Sequence, residues 1–111
     1  MNNFKQAEAK LNGKMQRKIA NNTYLVEIDA HAIAVRLHAT NVVTYHRDGR
    51  IILNTGGWRT STTKTRLNDY SPARISQRKG EWFAHFNGEE HEFFNGMDVS
   101  EHADIIFADG K

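Results

Sequence analysis

Between Leu53 and Asn68 the chain reads "LNTGGWRTSTTKTRLN": one aromatic, three cations and, after the paired glycines, five hydroxyls. No core needs a stretch this polar, and its residue types suit the binding of an anion. Trp58 offers a ring on which a base can stack. Arg59, Lys64 and Arg66 offer charge for phosphate, while hydroxyls and backbone N–H groups offer donors. Acidic side chains normally favour the first turn of a helix, where the dipole is positive. Cations gathered there suit a bound anion instead. Gly56-Gly57 permits close approach of the backbone. The plain alternative is structural, with the glycines forming a bulge and Trp58 plugging the end of a barrel. No Walker-type lysine motif is present, so nucleotide hydrolysis has little support.

A second constellation is Arg36, His38, Thr44 and His46. Two histidines with cations could supply the acid, base and phosphate clamp of a metal-independent nuclease. Strand geometry weakens this reading. With a loop at Ala39-Thr40-Asn41, His46 falls opposite Ala34, about 13 Å along the strand from His38. An extended nucleic-acid strand tolerates that spacing better than a single phosphate does. The segments "EEHE" (Glu89 to Glu92) and "SEHAD" (Ser100 to Asp104) set histidines beside carboxylates but match no zinc spacing. A solvated acidic hairpin accounts for them. No metal, cofactor or catalytic residue is assigned.

The elements that must position these residues follow from composition and period. A chain of 111 residues suffices for one domain with one modest core. With 39% apolar and 25% charged residues it reads as soluble and globular rather than disordered. Cysteine is absent, which excludes disulfides and thiolate metal sites. No apolar run is long enough to span a bilayer and no signal-like segment opens the chain, so a cytoplasmic location is expected. Charge is divided unevenly. Residues 1–79 carry 14 Lys/Arg against 5 Asp/Glu, and residues 80–111 carry 1 against 8. This asymmetry suits an anionic partner, a contact between the halves, or two differently solvated faces.

Asn2 or Asn3 can cap a first helix in which Phe4, Ala7, Leu11, Met15 and Ile19 recur at three- and four-residue steps. Asn12-Gly13 weakens its middle. From Thr23 the period becomes two. "TYLVEID" sets Tyr24, Val26 and Ile28 on one face, and "AIAVRLH" sets Ile33, Val35 and Leu37 on one face. In "NVVTYHRDGRIIL" burial selects a three-residue Arg47-Asp48-Gly49 loop, which pairs Tyr45 with Ile51 and Val43 with Leu53. A matching loop at Ala39-Thr40-Asn41 would pair Leu37 with Val43, leaving Arg36, His38, Thr44, His46, Arg50, Ile52 and Asn54 on a mainly polar, basic face. Ser61 or Thr62 can cap a short helix that Pro72 stops. "RISQRKGEWFAHFNGEEHEFF" reads as three strands, turning at Lys79-Gly80 and Asn87-Gly88. In "EWFAHF", Trp82, Ala84 and Phe86 share one face, which suits core packing. The tail could add an edge strand through Ile105 to Phe107.

The fold expected is α+β, mainly β. It is a single domain with a curled or barrel-like antiparallel sheet, an N-terminal helix and a short helix near 62–70. Residues 1–20 form a basic helical arm, 22–99 the sheet body and 100–111 an acidic tail.

Asn22-Leu25, Ala34-His38, Thr40, Val42-Thr44, Asp48-Gly49, Leu53 and the run Gly56 to Asn68 together resemble a family of small, mostly phage-encoded proteins. The shared pattern is NTYL, AVRLH, T, VVT, DG, L and GGW-T-TTK-R-N, and it covers roughly the central half of the chain. The resemblance implies a phage or prophage origin and a role in host takeover or genome handling, without assigning an activity. With the residues themselves, it favours a small nucleic-acid-binding accessory protein. Arg36, His38, Arg59, Lys64 and Arg66 would contact phosphate, and Trp58 would stack on single-stranded or structured nucleic acid. The alternative is a phage inhibitor of a host or anti-phage defence protein. In that case the Glu89–Glu92 and Glu101–Asp109 carboxylates would mimic nucleic acid. A nuclease is third.

Overall fold

Asn3 starts the first helix by accepting the Gln6 N–H on its side-chain oxygen at 2.8 Å. The helix, α1 (Phe4–Leu11), then stops well short of the expected arm. Asn12 enters the left-handed region at φ 50° and returns its N–H to the Glu8 carbonyl, and Gly13 follows at φ 84°. Two successive left-handed residues cannot continue a helix. The rest of the predicted arm is instead β1 (Gln16–Ala20), which hydrogen-bonds the otherwise open edge of the next strand. The expected helix over residues 1–20 is thus a helix followed by a strand.

In the computed structural model, which describes residues 1–101, the remaining elements follow in order. They are β2 (Thr23–Asp29), β3 (Ala32–Leu37), β4 (Thr40–His46), β5 (Ile51–Leu53), α2 (Ser61–Tyr70), β6 (Arg74–Arg78), β7 (Glu81–Phe86), β8 (Glu89–Glu92) and β9 (Met97–Asp98). One sheet runs β1-β2-β3-β4-β5-β9 and a smaller one β6-β7-β8. Every pairing is antiparallel. The domain is mainly β with two helices, as expected, but its sheets are open and do not close into a barrel. The edge strand expected through Ile105 to Phe107 lies outside the described residues.

The β4–β5 hairpin has the expected register, Val43 opposite Leu53 and Tyr45 opposite Ile51. Gly49 takes φ 104° and closes the loop by donating to the His46 carbonyl at 3.0 Å. Gly49→Ala should therefore cost about 1 kcal/mol, seen as a lower urea midpoint at unchanged slope. The β6–β7 and β7–β8 hairpins turn on Lys79-Gly80 and Asn87-Gly88, with all four residues at positive φ, the signature of tight primed turns.

One register differs from expectation, and so do the faces of β2; a β-bulge accompanies each. Between β3 and β4 the turn is His38-Ala39, which pairs Leu37 with Thr40 rather than Val43; Val42 is then the extra residue, and Val35 meets Val43. Between β2 and β3 the turn pairs Asp29 with Ala32. Continued without interruption, that register would set Tyr24, Val26 and Ile28 opposite Leu37, Val35 and Ile33, on the core face. Ile28 is instead left out of the ladder, and from Glu27 back toward Thr23 every β2 side chain changes sides. Thr23 and Leu25 are buried, while Tyr24 and Ile28 are exposed.

The covered face supplies Leu25, Val35, Val43, Tyr45 and Leu53 to a core completed by Ala7 and Leu11 of α1, Leu67 of α2 and Trp82, Ala84 and Phe86 of β7. Tyr45 is fully buried, and its hydroxyl donates to the Tyr70 carbonyl at the end of α2. Burial first, and the nearby Tyr70 phenol second, keep the Tyr45 hydroxyl protonated far above the ordinary tyrosine range. In the unfolded chain it ionises near pH 10, so Tyr45 contributes stability fully below that pH and loses it as pH rises beyond. Urea unfolding above pH 10 should show a decline of up to about 1.4 kcal/mol per pH unit from this group. Tyr45→Phe should flatten the decline while costing about 1–2 kcal/mol at pH 7, through the missing hydrogen bond.

Candidate functional site

At one end of the large sheet the β1–β2 turn and the β3–β4 turn lie together, tied by His38 N–H donating to the Asn22 carbonyl at 3.0 Å. The chain leaving β5 crosses this end, and α2 begins there. Between them opens a groove of about 610 Å³ whose walls include Asn22, His38, Thr40, Trp58, Thr60 and Thr63.

Trp58 stands on an anchored loop. Gly56 N–H donates to Asn54 Oδ1 at 2.7 Å, and Trp58 N–H donates to the Thr55 carbonyl at 3.0 Å. Thr55 in turn donates both its N–H and its hydroxyl to Asn95 Oδ1, at 2.9 and 3.0 Å. The backbone is held, yet the residue is 68% exposed. The buried tryptophan is Trp82, at 3%. The paired glycines have different tasks. A Cβ on Gly56 would sit 2.6 Å from Thr40 Oγ1, so the close approach is to the chain itself, whereas Gly57 faces open space.

Thr60, one residue ahead of the expected caps, is the N-cap of α2: Thr63 N–H donates to its hydroxyl oxygen at 3.1 Å. The earlier first-turn N–H groups, at Ser61 and Thr62, have no carbonyl behind them within the helix. Of these two residues Thr62 lines the groove.

The cations disperse. The Arg59 guanidinium lies 5.1 Å over the Phe93 ring and 5.7 Å over Trp82; Lys64 Nζ lies 6.0 Å over Trp82 and donates to Gln77 Oε1 at 3.4 Å. Both side chains rest on Trp82 of the smaller sheet, and neither lines the groove. Arg66 points elsewhere, donating from Nε to Thr23 Oγ1 at 2.8 Å and from Nη2 to the Asn21 carbonyl at 3.2 Å. Arg36 lies on the outer sheet face, donating from Nε to Asn41 Oδ1 at 2.8 Å. Of the expected site residues, Trp58 and His38 share one groove, Arg59 and Lys64 pack onto Trp82 outside its lining, and Arg66 and Arg36 are tied to neighbouring surfaces.

His46 is at the far end of the β3–β4 hairpin, opposite Ala32 rather than Ala34. Six residues separate Ala32 from His38, about 20 Å along the strand, so the two histidines cannot serve one phosphate. Arg50 Nη2 is 3.4 Å from His46 Nδ1 and its Nε is 2.9 Å from Asp48 Oδ2. The Arg50 N–H beside Asp48 holds that carboxyl below its ordinary range.

In the acidic hairpin, Arg78 reaches across the Phe83 ring and grips Glu90 with two bonds, at 3.1 and 2.7 Å. Those bonds hold the Glu90 carboxyl below its usual range. Among the described residues no three His, Asp or Glu side chains gather as metal ligands. His102 and Asp104 lie outside those residues.

Asn22 and Thr40 were not picked out by residue type. The available signal for Asn22 is the Asn21-Asn22 pair, a turn dipeptide just ahead of the strand-like run that begins at Thr23. Nothing local marks Thr40, which the β3–β4 turn brings to the groove.

Among the described residues no helix is long and apolar enough to cross a membrane. No curated protein and no solved structure matches the chain. A family model described as Kyanoviridae Gp96 protein matches residues 2–100. That span takes in every element from α1 to β9, the Gly56–Asn68 stretch included, and the chain therefore belongs to the Kyanoviridae Gp96 family of phage proteins.

Proposed function

We propose that this protein binds nucleic acid through the groove at the Trp58 end of the sheet, as an accessory to phage genome handling or host takeover. The observation that carries the reading is Trp58 itself, a large ring exposed on a loop whose backbone is hydrogen-bonded in place. Leaving that ring in water has no structural return in the described chain, whereas a base stacked on it would remove the exposed area. The start of α2 supplies N–H donors and a positive dipole end for a phosphate beside the stacked base. Arg59 and Lys64, neighbours in the chain of the lining residues Trp58, Thr60 and Thr63, add charge nearby, His38 is part of the groove lining, and Arg36 and Arg66 reinforce the surrounding positive field.

The test is titration with labelled oligonucleotides over a range of salt. Lys64→Ala and Arg59→Ala should weaken binding of all sequences alike and reduce the salt slope by about one unit for each phosphate no longer neutralised. Binding that ignores salt, or no binding at all, would remove the reading. Capture of a nuclease-insensitive protein partner would then favour the inhibitor.

A further inference from the structure

We infer that the open face of the large sheet is a second stacking surface, centred on Tyr24 and continuous with the Trp58 groove, and that the ligand is single-stranded nucleic acid. This rests on the groove reading above and extends it. The inference starts from the bulge at Ile28, which turns Tyr24 away from the core. Its ring is left exposed on the sheet face opposite Leu25 and Val35. Across the strands Tyr24 sits in the row Lys18, Tyr24, Arg36, Asn41. An aromatic ring thus has a cation on each neighbouring strand, about 5 Å to either side. The adjacent row carries no charge across the four strands from β1 to β4, at Gln16, Val26, Ala34 and Thr44. The row of Tyr24 contains no carboxylate, and the adjacent row reaches one only at the far edge of the sheet, where Ile52 follows Thr44 and Asp98 follows Ile52.

That composition decides the class of ligand. The core of a protein interface is depleted of charge, whereas a stacked base brings a phosphate on each side. Duplexes hide their base faces in the stack, so a ring exposed on a sheet face can stack only with unpaired bases. Tyr24 and Arg36 lie two residues along their strands from Asn22 and His38, which line the groove, a step of about 7 Å. One strand could stack on Trp58, cross the paired turns and stack on Tyr24.

The experiment compares oligothymidylates of about 4 and about 12 nucleotides, within the range of site sizes for stacking grooves. They are titrated against wild type, Trp58→Ala, Tyr24→Ala, Tyr24→Phe and Lys18→Glu, each checked by thermal melt. Trp58→Ala should weaken both lengths. Tyr24→Ala and Lys18→Glu should weaken the longer oligomer about ten-fold and leave the shorter unchanged, with Tyr24→Phe binding as wild type. A duplex of matching length should compete at least about ten-fold less well. If Tyr24→Ala and Lys18→Glu bind both lengths normally while Trp58→Ala does not, the sheet-face proposal falls and the groove reading stands. If no oligomer binds, both fall. Equal competition by the duplex overturns the single-strand assignment. A sedimentation change in Tyr24→Ala without a binding change would make this face a contact between copies, which also overturns it.

Discussion

Trp82→Ala should lower stability by about 3–5 kcal/mol, and Trp58→Ala should leave it within about 0.5 kcal/mol of wild type. The two residues share a side chain and differ in surroundings. Trp82 is buried in β7, edge-on to Phe93 with ring centroids 5.8 Å apart, and lies beneath the Arg59 and Lys64 cations. Its truncation leaves a cavity and removes the ring both cations rest on. In a domain of this size the loss should lower the melting temperature by roughly 15 °C or more. Trp58 has no such surroundings, and its removal should instead cost about 1–3 kcal/mol of oligonucleotide binding. Melts and titrations on the pair separate the roles. A Trp58→Ala protein that melts like Trp82→Ala would return the whole stretch to a structural role.

Gly56→Ala is the other large expected loss, about 2–4 kcal/mol. Part is the left-handed backbone at φ 63°, worth about 1 kcal/mol, and the rest is overlap of the new methyl with Thr40 at 2.6 Å from Oγ1 and 2.8 Å from Cγ2. Gly57→Ala shares the backbone problem without the overlap and should cost only about 1 kcal/mol. Thr40→Ala removes the two closest atoms, so the double variant should be less destabilised than the sum of the singles. That shortfall, measured by urea unfolding, isolates the steric part. Additive losses would mean that Gly56 acts through its backbone alone.

Sequence patterns carried the parts of this fold whose determinants are local. Asn3 as a cap, Pro72 as a stop, the Asp48-Gly49 loop and the paired Lys79-Gly80 and Asn87-Gly88 turns all act through neighbouring residues. The short strand β1 was hidden because Phe4, Ala7, Leu11, Met15 and Ile19 keep a helical period across Asn12-Gly13. Only the unpaired edge of β2 gives Gln16–Ala20 a better use for its N–H groups. Trp58 and the α2 start were legible for the same local reason. The destinations of Arg66 and Arg36 were not, because each bonds to a partner supplied by another element or by a turn whose register a bulge alters.

Those bulges bear on chain length as well as on faces. Ile19, Val42 and Ile28 are each unpaired in a ladder that resumes pairing on both sides. Deleting Ile28 would join Glu27 directly to Asp29, and these already pair with Ile33 and Ala32 in the order an unbroken ladder requires. The deletion should therefore be tolerated in the middle of a sheet, where losing a regularly paired residue would invert everything beyond it. Family members that differ in length between Gln16 and His46 are expected to gain or lose residues at these three points, with the turns and the Trp58 loop kept at constant spacing.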